Sequence, residues 1–281
     1  MQTKKNSSAA DRKDVALLFT SDLIEALLKG TKTQTRRIIN PQPVLEDGIW
    51  MWKRKGETPI PLVNQSLSML AESRYQVGDR LYAKESMYLD KDDLGEGDCW
   101  YYDLDKKKVM VSREDEGAML AWAHHKQTTT QSALFMPRWA ARTWREIAEV
   151  SVQRIGDISE EDAIAEGIVP LIYRASAEGH YVRYYHYEYQ TYHTTYDGDG
   201  ARQSFRTLWN QINGKWTAIR KNMDGGETKK KELSHYISYP WNEEDIKDKP
   251  DVRNKNIPFL ACPNPWVWAI KFTTVLRDEG K

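Results

Sequence analysis

The chain has 281 residues, with 41 Lys and Arg against 41 Asp and Glu. A net charge of zero excludes an argument for nucleic-acid or membrane binding from the overall field, so any anion site has to be local, as the Lys29–Arg37 cluster is. Its 11 Trp and 15 Tyr outnumber 5 Phe, a bias toward aromatics with a polar handle. The two cysteines, Cys99 and Cys262, stand far apart without ligand spacing, so neither a metal nor another cofactor is expected.

Residues 1–14 are polar and charged and read as a disordered tail, lacking the apolar core of a signal peptide. No apolar run approaches a membrane span, which predicts a cytoplasmic protein without a membrane partner. Val15 to Phe19 is a short strand candidate. Ser21 is placed to cap a helix in which Leu23, Ile24, Leu27 and Leu28 recur at helical spacing, and Gly30 ends it. Next comes Thr31-Lys32-Thr33-Gln34-Thr35-Arg36-Arg37, a run of polar and basic side chains fed by a buried helix and closed by Asn40-Pro41-Gln42-Pro43. Residues 44–74 lose periodicity and read as an insertion.

Arg80 to Glu85 reads as a strand with Leu81, Ala83 and Glu85 on one face. Glu85 is then either a surface carboxylate at a strand end or one at the mouth of a pocket. Residues 88–133 read as a second insertion with one hairpin at Cys99–Val111, and the His124-His125 pair is expected in solvent. In Met136-Pro137-Arg138-Trp139-Ala140-Ala141-Arg142, an Arg beside a Trp can stack and bind phosphate together; the other reading is a packed Trp with a surface Arg. Thr143 to Ile155 reads as a strand.

Ser159-Glu160-Glu161-Asp162 opens a short helix in capping-box fashion, and Gly167 ends it. Glu166 falls on the last turn, where a carboxylate opposes the helix dipole. An acid placed against stability points to function, although an ordinary exposed Glu fits as well. In residues 170–200, Tyr185, Tyr187 and Tyr189 alternate as in a hairpin strand, as base-stacking surface or as sheet packing. Ala201 to Ile212 is the clearest helix, with Phe205, Leu208, Trp209 and Ile212 on one stripe. Residues 215–258 read as a further polar insertion. Trp266 to Val275 is apolar on both faces, as a core strand is. Gly-rich phosphate loops, Ser-His-Asp order and hydrolase elbows are absent from the sequence. The element order predicts an α+β fold with a mostly antiparallel sheet, closed as a small barrel.

Five separated segments together resemble the ASCH domain family of the PUA-like superfamily, in particular its phage and prophage members. They are Leu17–Pro43 with GTKTQTRRIINPQP, Val77–Glu85 with VGDRLYAKE, Met136–Arg142 with MPRWAAR, Asp157–Ile168 with DISEEDAIAEGI, and Ser204–Gly214 with Asn264–Phe272, NPWVWAIKF. The resemblance implies one domain over residues 15–281, a PUA-like small β-barrel with flanking helices, elaborated by long insertions at about 44–74, 88–133, 170–200 and 215–258. It also implies a bacterial or phage-infected host cytoplasm, and RNA or a modified nucleoside or nucleotide as ligand in a basic cleft. Arg36, Arg37, Arg138 and Arg142 would meet phosphate, Trp139 would stack and Glu85 would line the site. Some small family members deacylate N4-acetylcytidine-type nucleosides. Carried over on that pattern, Thr35 would be the nucleophile, Lys32 its base, with an amine pKa lowered by Arg36 and Arg37, and Glu166 the orienting acid.

Overall fold

The computed structural model describes residues 12–62, 67–90, 99–110, 115–119, 130–176, 179–194, 200–222, 231–252 and 256–274. The His124-His125 pair and residues 1–11 of the expected tail lie outside them. The elements begin with strand β1 (Asp14–Leu18), helix α1 (Ser21–Leu28) and β2 (Gln34–Ile38). Then come β3 (Val44–Glu46), β4 (Ile49–Trp52), β5 (Ile60–Pro61), α2 (Leu67–Ala71), β6 (Arg80–Lys84), β7 (Met87–Asp90), β8 (Cys99–Tyr102) and β9 (Thr130–Gln131). The second half holds β10 (Trp144–Arg154), α3 (Glu160–Ala165), β11 (Leu171–Ser176), β12 (Gly179–His186), β13 (Thr191–Thr194) and α4 (Gly200–Asn213). It ends with β14 (Thr217–Asn222), β15 (Lys231–Ser238), β16 (Phe259–Ala261) and β17 (Trp266–Thr274).

The fold is α+β, with mostly antiparallel pairing, but the expected barrel does not close. Among the described residues five strands form one open sheet in the order β1-β6-β10-β17-β2, which leaves β1 and β2 as edges. β1 runs parallel to β6, from Asp14 opposite Arg80 to Leu18 opposite Lys84. The Asp14 carboxylate fixes that register by accepting from Arg80 Nε at 2.9 Å and Nη2 at 3.2 Å. Each segment expected as an insertion carries strands of a separate three-stranded sheet: β3-β4-β5, β8-β7-β9, β11-β12-β13 and β14-β15-β16.

The chain divides into two compact units. One takes residues up to Thr33, Ser73–Val150 and Ile270 onward; the other takes Gln34–Glu72 and Ser151–Ala269. In the first, α1 buries Leu23, Ile24, Ala26 and Leu27, while Leu28, expected on that stripe, is exposed. A second apolar cluster there joins Met87, Trp100, Tyr102, Met136, Trp139 and Trp144. In the second unit α4 buries Phe205, Leu208 and Trp209, and Phe205 meets Trp209 and Trp241 by ring contacts. Among the described residues no helix is long and apolar enough to cross a membrane.

Both short helices that precede candidate residues end alike. After α1, Gly30 adopts φ +75°, its N–H donates to Leu27 O, and Thr31 N–H reaches Ala26 O. After α3, Gly167 adopts φ +99°, its N–H donates to Ile164 O, and Ile168 N–H reaches Ala163 O. This paired closure needs a left-handed residue, which glycine takes without a Cβ penalty. The start of α1 differs from expectation: Thr20, not Ser21, is the N-cap, and no side chain caps it. Ser159 caps α3 as expected, accepting from Asp162 N.

A candidate site built on buried charge

The densest polar region of the second unit centres on Arg36, whose side chain is only 1% exposed. A guanidinium removed from water has to have its donors met. Arg36 Nη1 donates to Glu166 Oε1 at 3.0 Å and Nη2 to Asp162 Oδ2 at 2.7 Å. With the Gln153 amide turned so that its oxygen faces the guanidinium, that oxygen accepts from Nε at 2.6 Å and Nη2 at 2.7 Å. Gln34 Nε2 donates to the Asp162 backbone carbonyl at 2.5 Å. Strand alternation explains why Gln34 and Arg36 reach the same helix, being two apart on β2. Helical spacing explains why Asp162 and Glu166 both face Arg36, being four apart across α3 and its C-cap. Two carboxylates on one helical face repel each other, and the guanidinium relieves them.

α3 is held from its other end as well. The Glu160 carboxylate accepts from the first backbone N–H groups of α4, Ala201 N at 2.5 Å and Arg202 N at 2.9 Å. An acid at a helix N-terminus satisfies orphan donors and complements the dipole. Glu166 at the C-terminal end of α3 is in the opposite, unfavourable position, and the Arg36 contact offsets this. Asp162 is the accessible member of the group, with a side chain 33% exposed against 3% for Glu166.

The first unit holds a second buried pair. Arg142 Nε and Nη2 donate to Glu85 Oε1 at 3.0 Å and Oε2 at 2.6 Å, a two-point fork. Its Nη1 donates to both oxygens of Asp105, at 2.9 Å and 2.8 Å, and the guanidinium lies 3.9 Å over the Tyr102 ring. Burial pushes Asp105 up, but the Arg142 hydrogen bonds and the Lys107 N–H outweigh it, and the carboxyl titrates below its ordinary value. For Arg142, burial works against the charge, and the hydrogen bonds to Glu85 and Asp105 raise its pKa regardless.

The remaining expected site residues are dispersed. Lys32 is 1% exposed, with Nζ 5.5 Å from the Phe19 ring. Thr35 is buried on β2, and alternation directs it to the face opposite Arg36, whose guanidinium holds Glu166. β2 begins only at Gln34, so strand alternation does not govern Lys32. Arg37 is half-buried. Arg138 is exposed and donates to Asp14 Oδ2 at 2.5 Å while lying over Trp144. Trp139 is buried in the apolar cluster and presents no open face for a base. Glu85 is a buried carboxylate, not the surface one that a strand end allows.

Sequence reasoning missed Asp162, Gln153 and Asp105. The four-residue spacing of Asp162 and Glu166 was a usable signal, because a like-charge pair on one helical face asks for a cation. Asp105 carried none, lying in a segment rich in both charges. Comparison of the chain with family models, with curated proteins and with solved structures finds no match.

Proposed function

We propose that the chain binds a nucleoside-type ligand, a modified nucleoside foremost, at the polar centre around Arg36. One observation carries this reading. A guanidinium 1% exposed is surrounded by two carboxylates and the Gln153 amide, while Gln34 holds the Asp162 backbone carbonyl. A buried ion pair is weak as a stability device, because apolar residues of like volume often do as well or better. Retained buried charge of this kind is more readily explained by recognition. The ligand class comes from the resemblance of the GTKTQTRR and DISEEDAIAEGI segments, which supply Arg36, Asp162 and Glu166.

A phosphate-binding cleft formed by the same arginines is disfavoured. Arg36, Arg138 and Arg142 each already donate to a carboxylate. Ligand recognition at Asp162 and its neighbours would therefore be nearly insensitive to salt, whereas contacts to an RNA backbone fall steeply with it. Isothermal titration with cytidine, N4-acetylcytidine and a short single-stranded RNA, at low and high salt, separates the two. The expected result is nucleoside binding with a flat salt response, weakened in Asp162→Asn, which leaves Glu166 and Gln153 on Arg36. Steeply salt-dependent RNA binding with no nucleoside binding would overturn it.

Hydrolysis of N-acylated cytidine is the second reading, carried by the match of Lys32, Thr35 and Glu166 to the family pattern, and Lys32 and Thr35 are each buried. Exclusion of water is the condition under which an amine can serve as a base to a hydroxyl. Glu166, engaged by Arg36, would then hold α3 in place instead of serving Thr35 directly. Release of acetate from N4-acetylcytidine, lost in Lys32→Ala and Thr35→Ala, is the expected outcome on that reading; turnover that survives Thr35→Ala removes it.

A further inference from the structure

We propose that Arg154, set against Trp50 and Trp266, is the core of a separate oxyanion site that takes a phosphate monoester. All three residues belong to the second unit. The guanidinium carbon lies 4.8 Å from the centre of the Trp50 ring and 5.2 Å from that of Trp266, and the two rings meet edge-on at 5.6 Å. Trp266 is itself pinned, its backbone N–H donating to Gln42 Oε1 at 2.8 Å and its backbone carbonyl accepting from Gln42 Nε2 at 3.0 Å. The aromatic corner is therefore built before a ligand arrives.

Arg154 differs from the carboxylate-bound arginines in what it lacks. Arg36, Arg80, Arg138, Arg142 and Arg206 each donate to a carboxylate. The Arg154 side chain makes no hydrogen bond or ion pair among the described residues; its partners are two π faces and the more distant charge of Asp157. An indole face attracts a cation but offers no in-plane lone pair, so the N–H fork keeps its bonding capacity. Burial pushes this arginine below its ordinary value, against the pull of Asp157, so the site is short of negative charge.

An independent observation points the same way. The indole N–H groups of Trp52, Trp144, Trp209 and Trp216 donate to the carbonyls of Pro41, Ala141, Tyr239 and Lys247. Trp266 Nε1 is buried and has no hydrogen-bond partner. Buried donors are nearly always met, and an orphan calls for an explanation. The cluster thus holds an unmet indole donor on one of the two rings that flank a guanidinium without a carboxylate, a donor excess that an anion would answer. A phosphate monoester fits better than a carboxylate, since it brings about −1.5 to −2 charges and three acceptor oxygens. Alternation places Arg154 on the face of β10 opposite Gln153, so this site is distinct from the Arg36 centre and does not rest on the nucleoside reading.

The test is isothermal titration of the full chain with inorganic phosphate, cytidine 5′-monophosphate, cytidine and acetate. Phosphate and the nucleotide are expected to bind and to compete with each other. Cytidine is expected not to displace phosphate, and acetate to bind far more weakly. Arg154→Ala is expected to weaken phosphate binding at least roughly tenfold, the worth of a charge-assisted hydrogen bond. Arg154→Lys keeps the charge and the aliphatic stem but loses the fork, and is expected to weaken binding with the melting temperature unchanged. It decides the matter should the alanine variant disturb the tryptophans. No phosphate binding by the unaltered chain, full affinity in Arg154→Lys, or acetate binding as tight as phosphate would each overturn the assignment.

Discussion

At the scale of single residues, two of the arginines are met by buried glutamates. Glu85 takes a two-point fork from Arg142 in one unit, and Glu166 takes a single bond from Arg36 in the other, where Arg36 sends its second bond to Asp162. The Asp105 contact to Arg142 gives this a pH dependence. Its carboxyl titrates below the ordinary value, so the ionised form is favoured in the folded state. The resulting stabilisation is complete above the unfolded-state value, about 4, and is lost as pH falls through the folded one. Asp105→Asn is therefore expected to melt below the unaltered chain at pH 7, with the gap closing as pH is lowered toward 3. A gap that stays constant over that range would mean that Asp105 does not stabilise through its charge. The acids Glu85 and Glu166 were legible in the sequence, the first from alternation with Leu81 and Ala83, the second from its misplacement at a helix end. Asp105 was not, because the contact joins residues far apart in the chain.

At the scale of elements, local rules read the helix ends better than their beginnings. Gly30 and Gly167 were expected as terminators and both adopt positive φ. The cap of α1 was expected at Ser21 and lies at Thr20, one residue earlier, because the extended backbone of Thr20 starts the ladder without side-chain help. Gly30 allows a clean measurement of what the left-handed residue contributes. A Cβ added there meets nothing within 4 Å, so Gly30→Ala changes backbone preference alone. The expected loss is about 1–2 kcal/mol, the cost of a left-handed conformation for a residue with a Cβ. Gly30→Asn is expected to lose less, since asparagine tolerates this region. Urea unfolding of the three chains measures it, and equal midpoints for Gly and Ala would show that the turn relaxes.

At the scale of the whole molecule, legibility followed burial. β6 and β17 were readable because each sets apolar residues at strand spacing, β10 less cleanly since Ile147, Val150 and Val152 alternate imperfectly, and β17 buries Val267, Trp268, Ala269, Ile270 and Phe272. The closed barrel was not borne out. Open or closed depends on whether edge strands meet, and the parallel pairing of β1 with β6 joins residues 66 apart in the chain (80 − 14), beyond any local pattern. The four segments read as insertions hold strands of which only hairpins at Cys99–Val111 and around Tyr185 were expected, and β3 is exposed at all three positions. A strand without a buried face has no period to read. The same physics predicts a graded stability, since opening costs least where little apolar surface is buried. Amide hydrogen exchange read by mass spectrometry is expected to be slowest in peptides spanning Val267–Phe272 and fast in those spanning Val44–Ile49, whose apolar residues Val44, Leu45 and Ile49 are exposed. Equal protection in the two segments would mean that the β3-β4-β5 sheet draws its stability from something other than burial of its own side chains.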